Sequence, residues 1–170
     1  MVVKLTASAL EPGGTSEVRD GYFYCSHTYK IDAPPEKVLG ALQGDWDQWW
    51  SMGRRLNVRV DDRGVTHWKF IPLKTSGMMV WFNIDMDPPR VDNGPSGSPE
   101  KIVLELKLDG ACVGPARYEV FATPDGGSFL RGSWNGVKPR GWRRFATGMF
   151  GSMHLLVESW AVRNMRSMLA

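Results

Sequence analysis

Residues 144–168 read RFATGMFGSMHLLVESWAVRNMRSM, and this stretch decides the fold. Its apolar residues recur at the spacing of one broad helical stripe, which we assign to Ala146, Met149, Phe150, Met153, Leu156, Val157, Trp160, Ala161 and Met168. The pattern predicts one helix of about 25 residues, roughly 37 Å long, with Met153 and Trp160 buried. A helix so long and so apolar must cover an equally apolar partner, and upstream of it the sequence offers only a sheet.

Upstream of this stretch, apolar residues mostly alternate with polar ones, which is typical of strands with one buried face. The pattern predicts seven strands, at residues 22–31, 54–60, 65–73, 78–86, 101–109, 114–123 and 128–136. Short turns join most of them, so we expect an antiparallel sheet. A Pro/Gly/Ser-rich loop is predicted over residues 88–99.

Two short helices are predicted between the first and second strands. Pro34 and Pro35 open one that runs to about Leu42, because proline is tolerated in a first helical turn. The second covers residues 45–51 and carries three of the eight tryptophans of the chain. The fold class is thus α+β: a curved seven-stranded antiparallel sheet around a long C-terminal helix, with two short helices after strand 1.

Composition and charge limit the kinds of protein that this chain can be. The 170 residues are 42% hydrophobic and 23% charged, which suits one globular domain, here residues 21–170 after a flexible arm at 1–20. A net charge of +3 without a basic stripe argues against nucleic acid. Without a signal peptide or a run of ~20 apolar residues, and with Cys25 and Cys112 expected to be reduced thiols, we predict a cytoplasmic protein with no integral membrane segment.

A strongly bent sheet around one helix leaves a gap at the wide end of the helix, and apolar walls make that gap a natural cavity for an apolar ligand. Two roles are equally consistent with Trp46, Trp49 and Trp50: they close the end of the sheet as core residues, or they contact the ligand. The predicted ligand-binding residues are Trp46, Trp49, Trp50, Trp68, Phe82, Leu104, Tyr118, Trp134, Met149 and Met153.

The stretch Ile31-Asp32-Ala33-Pro34-Pro35-Glu36-Lys37-Val38, with residues 46–50, 124–134 and 148–169, resembles the START-like, or SRPBCC, superfamily that includes the polyketide cyclases. The resemblance covers about residues 22–169 and implies the helix-grip fold. The superfamily includes lipid carriers, cyclases and ring-hydroxylating dioxygenases. An iron site is disfavoured because it needs two histidines and one carboxylate, and His27, His67 and His154 show no such clustering in the sequence. We expect no metal and no cofactor.

Catalytic candidates are few, because no nucleophile or nucleotide-binding motif is present. His27, Tyr29 and Tyr118 are the candidate proton-transfer residues, with Arg117 as a further possibility. A core role for His27 is the more common situation. His154 and Glu158, one helical turn apart, are interpreted as a solvated pair at the margin of the apolar stripe.

Three functions are consistent with these patterns. The first is binding of a hydrophobic small molecule, such as a lipid, an isoprenoid or a polyketide-like compound, in an internal cavity. The second is a cyclase, aromatase or dehydratase acting on such a molecule, which requires ionisable groups to converge inside the cavity. The third is a non-catalytic interaction module, with a homodimer as one outcome, which requires an exposed apolar patch such as Leu155 and Val162.

Overall fold

The C-terminal helix packs on one curved antiparallel sheet. The computed structural model describes residues 13–44, 46–49, 56–70, 82–93, 99–110, 112–141 and 147–170. Its elements in chain order are β1 (Gly13–Arg19), β2 (Tyr22–Ile31), α1 (Pro35–Gln43), α2 (Trp46–Trp49), β3 (Leu56–Val60), β4 (Thr66–Phe70), β5 (Phe82–Met86), β6 (Arg90–Asn93), β7 (Pro99–Gly110), β8 (Cys112–Ala122), β9 (Ser128–Pro139) and α3 (Thr147–Leu169).

The sheet order is β1-β2-β9-β8-β7-β5-β4-β3, with β6 pairing β7 outside this path. Every pair of neighbouring strands is antiparallel. The first and last long strands, β2 and β9, lie side by side, second and third from the β1 edge of the sheet. The helix-grip architecture predicted from the sequence is confirmed.

All seven predicted strands are present, and the described part of the chain contains two more. β1 lies in the segment assigned to the flexible arm, and β6 lies in the predicted loop over residues 88–99. Every residue of β1 is exposed, so the strand has no alternating apolar face, and it is held by main-chain pairing to β2. Periodicity cannot reveal such a strand, because its side chains carry no burial signal.

Alternate residues of the central strands form the core. Leu104, Leu106 and Leu108 of β7 are buried, whereas Lys107 and Asp109 between and beyond them are exposed. Val38, Ala41 and Leu42 of α1 and Trp49 of α2 join the same cluster. The buried side of the sheet, which faces α1, α2 and α3, is called the inner face below.

α3 is one continuous helix, as predicted, and its side chains are described for residues 158–169. Within residues 158–169 the buried side chains are Glu158, Ala161, Val162 and Met165, at the i, i+3, i+4 and i+7 spacing of one helical face. Trp160 is 38% exposed, so the prediction that it is buried was wrong. Val162 belongs to the apolar patch whose exposure an interaction module would require, but it is only 2% exposed. Leu155 lies outside the described side chains.

Two hydrogen bonds fix the end of α3 against the rest of the fold. The Arg166 Nε donates to the Lys30 carbonyl oxygen of β2 at 2.8 Å. The Asn164 Nδ2 donates to the Trp49 carbonyl oxygen at the end of α2 at 3.3 Å. The rotation of the buried stripe is therefore set by contacts to both the sheet and the short helices.

On the opposite side of the sheet, His67 of β4 bridges two carboxylates. Its Nδ1 lies 2.7 Å from Asp85 Oδ1 in β5, and its Nε2 lies 3.2 Å from Asp61 Oδ2 in the turn after β3. Hydrogen bonding to Asp85, then to Asp61, raises the pKa of His67 above its ordinary value. The protonated ring thus ties the β3–β4 turn to the neighbouring strand.

This bridge predicts a pH-dependent contribution to stability. Because the pKa of His67 is raised on folding, the contribution is complete below about pH 6.5 and is lost as the pH rises through the folded-state pKa. The difference in free energy of unfolding between the protein and His67→Asn, measured by urea denaturation, should be larger at about pH 5.5 than at about pH 9. An equal difference at both values would show that the imidazolium charge contributes nothing.

Candidate ligand-binding site

A row of five residues crosses the inner face of the sheet, one from each of five neighbouring strands. The register pairs Gly14 with His27, His27 with Gly132, Gly132 with Tyr118, and Tyr118 with Leu104. Directly opposed residues on neighbouring strands project to the same face. This set, called the central row below, places two glycines next to two polar aromatic rings.

The glycines make room for those rings. A Cβ at Gly14 would overlap the His27 imidazole at Nδ1, so the ring lies across the bare backbone of β1. A Cβ at Gly132 would lie 3.0 Å from the Tyr118 ring. A larger residue at either position would displace a polar side chain of the central row.

Glu158 of α3 is aimed at the same point. The residue is 3% exposed, and its Oε1 lies only 2.5 Å from where a Cβ of Gly132 would be. The prediction that Glu158 belongs to a solvated pair was therefore wrong. The side chain of His154, the predicted partner, lies outside the described residues.

Three titratable side chains of the sheet, Cys25, Tyr29 and Tyr118, lie close enough to feel the charge of this carboxylate, and His27 lies opposite Gly132 on β2. Burial, and then the negative charge of Glu158, raises the pKa of both Cys25 and Tyr29 to about 12. The same two causes hold the pKa of Tyr118 well above its ordinary value. The thiol and both phenols therefore keep their protons at neutral pH.

The candidate proton-transfer residues His27, Tyr29 and Tyr118 thus lie together near Glu158, which the sequence had placed in a solvated pair. His27 is 5% and Tyr118 is 8% exposed, and both lie in the central row. Tyr29 is half-buried two residues along β2 from His27, with their ring centroids 6.3 Å apart. Arg117 faces the other side of β8, where it pairs with Glu105 at 2.6 Å. Arg117 is therefore removed from the cluster.

Of the predicted ligand-binding residues, three others have described positions. Leu104 is fully buried in the central row. Trp134, two residues along β9 from Gly132, is 9% exposed, and its ring is edge-on to the Phe23 ring with the centroids 5.9 Å apart. Trp49 is 1% exposed, and its Nε1 donates to the Ala41 carbonyl oxygen at 2.9 Å. Outside the described part of the chain lie Trp50 and the side chains of Trp46, Trp68, Phe82, Met149 and Met153.

The Trp49 hydrogen bond predicts a structural cost for its loss. Trp49→Phe removes the indole N–H and leaves the buried Ala41 carbonyl oxygen without this donor. The free energy of unfolding should therefore fall by about 2 kcal/mol. The matched control is Trp160→Phe, because Trp160 is 38% exposed, and it should change stability by less than about 0.5 kcal/mol. Equal losses in the two variants would contradict the core position of Trp49.

A separate groove of about 570 Å³ lies on the other side of the sheet. Its lining includes His67, Asp85 and Lys107, which the register places in one row on the face opposite Leu106 and Leu108. The groove is open and carries charges of both signs. Its chemistry differs from that of the inner face and does not suit an apolar ligand.

The described residues offer neither a metal site nor a membrane-spanning helix. No group of three or more His, Cys, Asp or Glu side chains in this part of the chain is placed to hold a metal ion. Over the same residues, no helix is both long and apolar enough to cross a bilayer.

Comparison with known proteins identifies the fold. No protein-family model matches the sequence, and no curated protein matches it. Among solved structures, the lipid transfer and protein localization domain of human StarD13 (DLC2) is similar over 94% of this chain and 90% of its own, with a TM-score of 0.61 and 13% identity. A STAR-related lipid transfer protein from Xanthomonas axonopodis covers 92% of both chains, with a TM-score of 0.59 and 9% identity. A conserved protein of unknown function from Enterococcus faecalis gives a TM-score of 0.56 at 14% identity, over 90% of this chain and 74% of its own.

Proposed function

We propose that this chain, which has the START-like helix-grip fold, binds a hydrophobic small molecule between the inner face of its sheet and α3. The ligand classes that suit it are a lipid, an isoprenoid or a polyketide-like compound. One observation carries the proposal: among the described residues, the inner face around the central row is an apolar wall in which Glu158, Tyr118 and His27 form a polar cluster.

The wall extends over four neighbouring strands on both sides of the central row. Its buried apolar members near the row are Cys25 of β2, Leu130 and Trp134 of β9, Ala116 and Val120 of β8, and Leu104 and Leu106 of β7. Small-molecule sites combine such walls with a few placed polar groups that fix the ligand's orientation. Glu158, Tyr118 and His27 supply that polar minority here.

The fold supports the proposal by analogy. Two of the similar structures are described as a lipid transfer domain and a lipid transfer protein. A shared fold at this level of identity does not determine function, so the support that counts most comes from the inner-face side chains of this chain.

A cyclase or dehydratase is the second candidate, and a specific observation favours it. Such an enzyme needs proton-transfer groups that converge inside the ligand site. Glu158 and Tyr118 meet at Gly132, and Tyr29 lies close enough for the Glu158 charge to raise its pKa. A neutral phenol is a hydrogen-bond donor for a carbonyl oxygen, and a carboxylate is an acceptor for a proton beside it. The interaction module is less favoured, since Val162 is buried.

A large side chain introduced on the inner face should weaken ligand binding. Ala116 is 6% exposed and lies between Trp134 and Leu106 on the inner face, so Ala116→Phe places a ring where we propose that ligand lies. Affinity for N-phenyl-1-naphthylamine, a neutral dye that fluoresces on leaving water, should fall at least about tenfold, equivalent to ~1.4 kcal/mol.

The matched control is Ala122→Phe, the same substitution at an exposed position of the same strand. It should bind the dye as the parent does. Because overpacking costs roughly 1–3 kcal/mol of stability, binding is measured at a temperature where circular dichroism shows each variant folded. Normal dye binding by folded Ala116→Phe would place the ligand elsewhere.

A further inference from the structure

Glu158 is the residue whose position needs a functional explanation. It occupies the buried stripe of α3 together with Ala161, Val162 and Met165, where an apolar side chain would pack. A buried carboxylate adds little stability even when it is paired, and apolar replacements are often neutral or stabilising. Strongly buried titratable groups are instead common at functional sites.

The sheet is shaped to admit this carboxylate. At Gly132 of the central row, Glu158 Oε1 of α3 lies 2.5 Å from where a Cβ would be. On either side of Gly132 the row carries His27 and Tyr118. The carboxylate therefore enters a notch that is bounded by two polar rings.

The charge of the notch restricts what can bind beside it. The phenols of Tyr29 and Tyr118 and the thiol of Cys25 stay neutral at physiological pH, because burial and the Glu158 charge raise their pKa values. Glu158 is the acidic side chain that lies among these three groups. An anionic head group would place its charge beside the Glu158 carboxyl group at low dielectric, whereas a hydroxyl or ammonium head group would donate a charge-assisted hydrogen bond to it.

We propose that Glu158 is the polar anchor of the ligand site and that it selects an apolar molecule whose buried end carries a hydroxyl or amino group over one that carries a carboxylate. This inference rests on the proposed function. It adds the chemical class of the ligand's head group, and it names the notch formed by Glu158, Gly132 and Tyr118 as the place where that head group binds.

The test compares three ligands with one ten-carbon chain: 1-decanol, decylamine and decanoic acid. Each displaces N-phenyl-1-naphthylamine from the full chain at neutral pH, and the inhibition constant is read from the fluorescence loss. In the parent, 1-decanol and decylamine should bind about 10- to 100-fold more tightly than decanoic acid, the range expected for one hydrogen bond to a charged group. In Glu158→Gln, which removes the charge and keeps the shape, the three constants should agree within about threefold.

The matched control is Glu119→Gln. Glu119 is also a buried carboxylate, but it projects from the other face of β8, where Lys101 lies 3.1 Å and Arg131 3.8 Å from its oxygens. This variant should keep the parent's discrimination between head groups. A change equal to that of Glu158→Gln would show that total charge, rather than the notch, sets the preference.

A second variant keeps the carboxylate and moves it. Gly132→Ala puts a methyl group 2.5 Å from Glu158 Oε1, so it should also reduce the discrimination between head groups. Gly40→Ala, whose new Cβ meets nothing within 4 Å, is its control. This pair decides the question if Glu158→Gln fails to fold.

The outcomes separate the two proposals. Equal affinity of the three ligands for the parent, or discrimination that survives in both Glu158→Gln and Gly132→Ala, overturns the role of Glu158 while hydrophobic binding stands. Absence of dye and ligand binding to the folded parent, checked by calorimetry, overturns both proposals.

Discussion

The approach of a carboxylate on α3 to a bare stretch of β9 is the contact around which the interior is organised. Glu158 can lie on the sheet only because Gly132 has no side chain, and the Tyr118 ring lies against the same glycine. Hydrogen bonds from Arg166 and Asn164 hold the later turns of the helix in the matching rotation. Together these contacts set which face of the described C-terminal part of α3, residues 158–169, is buried.

The two faces of the sheet carry different chemistry as a result. On the inner face, polar rings alternate with glycines along the central row and apolar residues flank it. On the outer face, charged residues pair with one another, as Arg117 does with Glu105 and His67 with Asp61 and Asp85. Exposed ion pairs of this kind contribute little to stability and bind no apolar molecule. A hydrophobic ligand is therefore expected inside, where a few polar groups converge on an apolar wall.

The sequence predicts most of the architecture, because the period-two pattern of the central strands and the long apolar segment of α3 are strong signals. It does not predict β1, whose exposed side chains are placed by main-chain pairing alone. It also misplaces Glu158 and Trp160, because a helix with apolar residues on several faces does not reveal which face is buried. Gly132 interrupts the predicted strand 128–136, and a glycine inside a strand signals that another part of the protein approaches its backbone closely. Its partner on α3 is fixed only by tertiary packing.

Photolabelling with a decanol that carries a mid-chain diazirine tests most directly whether an apolar ligand lies between the sheet and α3. After irradiation, the adducts on the full chain are mapped by tandem mass spectrometry and competed with unlabelled decanol. Saturable adducts on inner-face positions of β8, β9 and α3, such as Ala116, Trp134 and Met165, are expected. Adducts confined to the outer groove around His67 and Lys107, or labelling that decanol does not compete, would contradict an internal site.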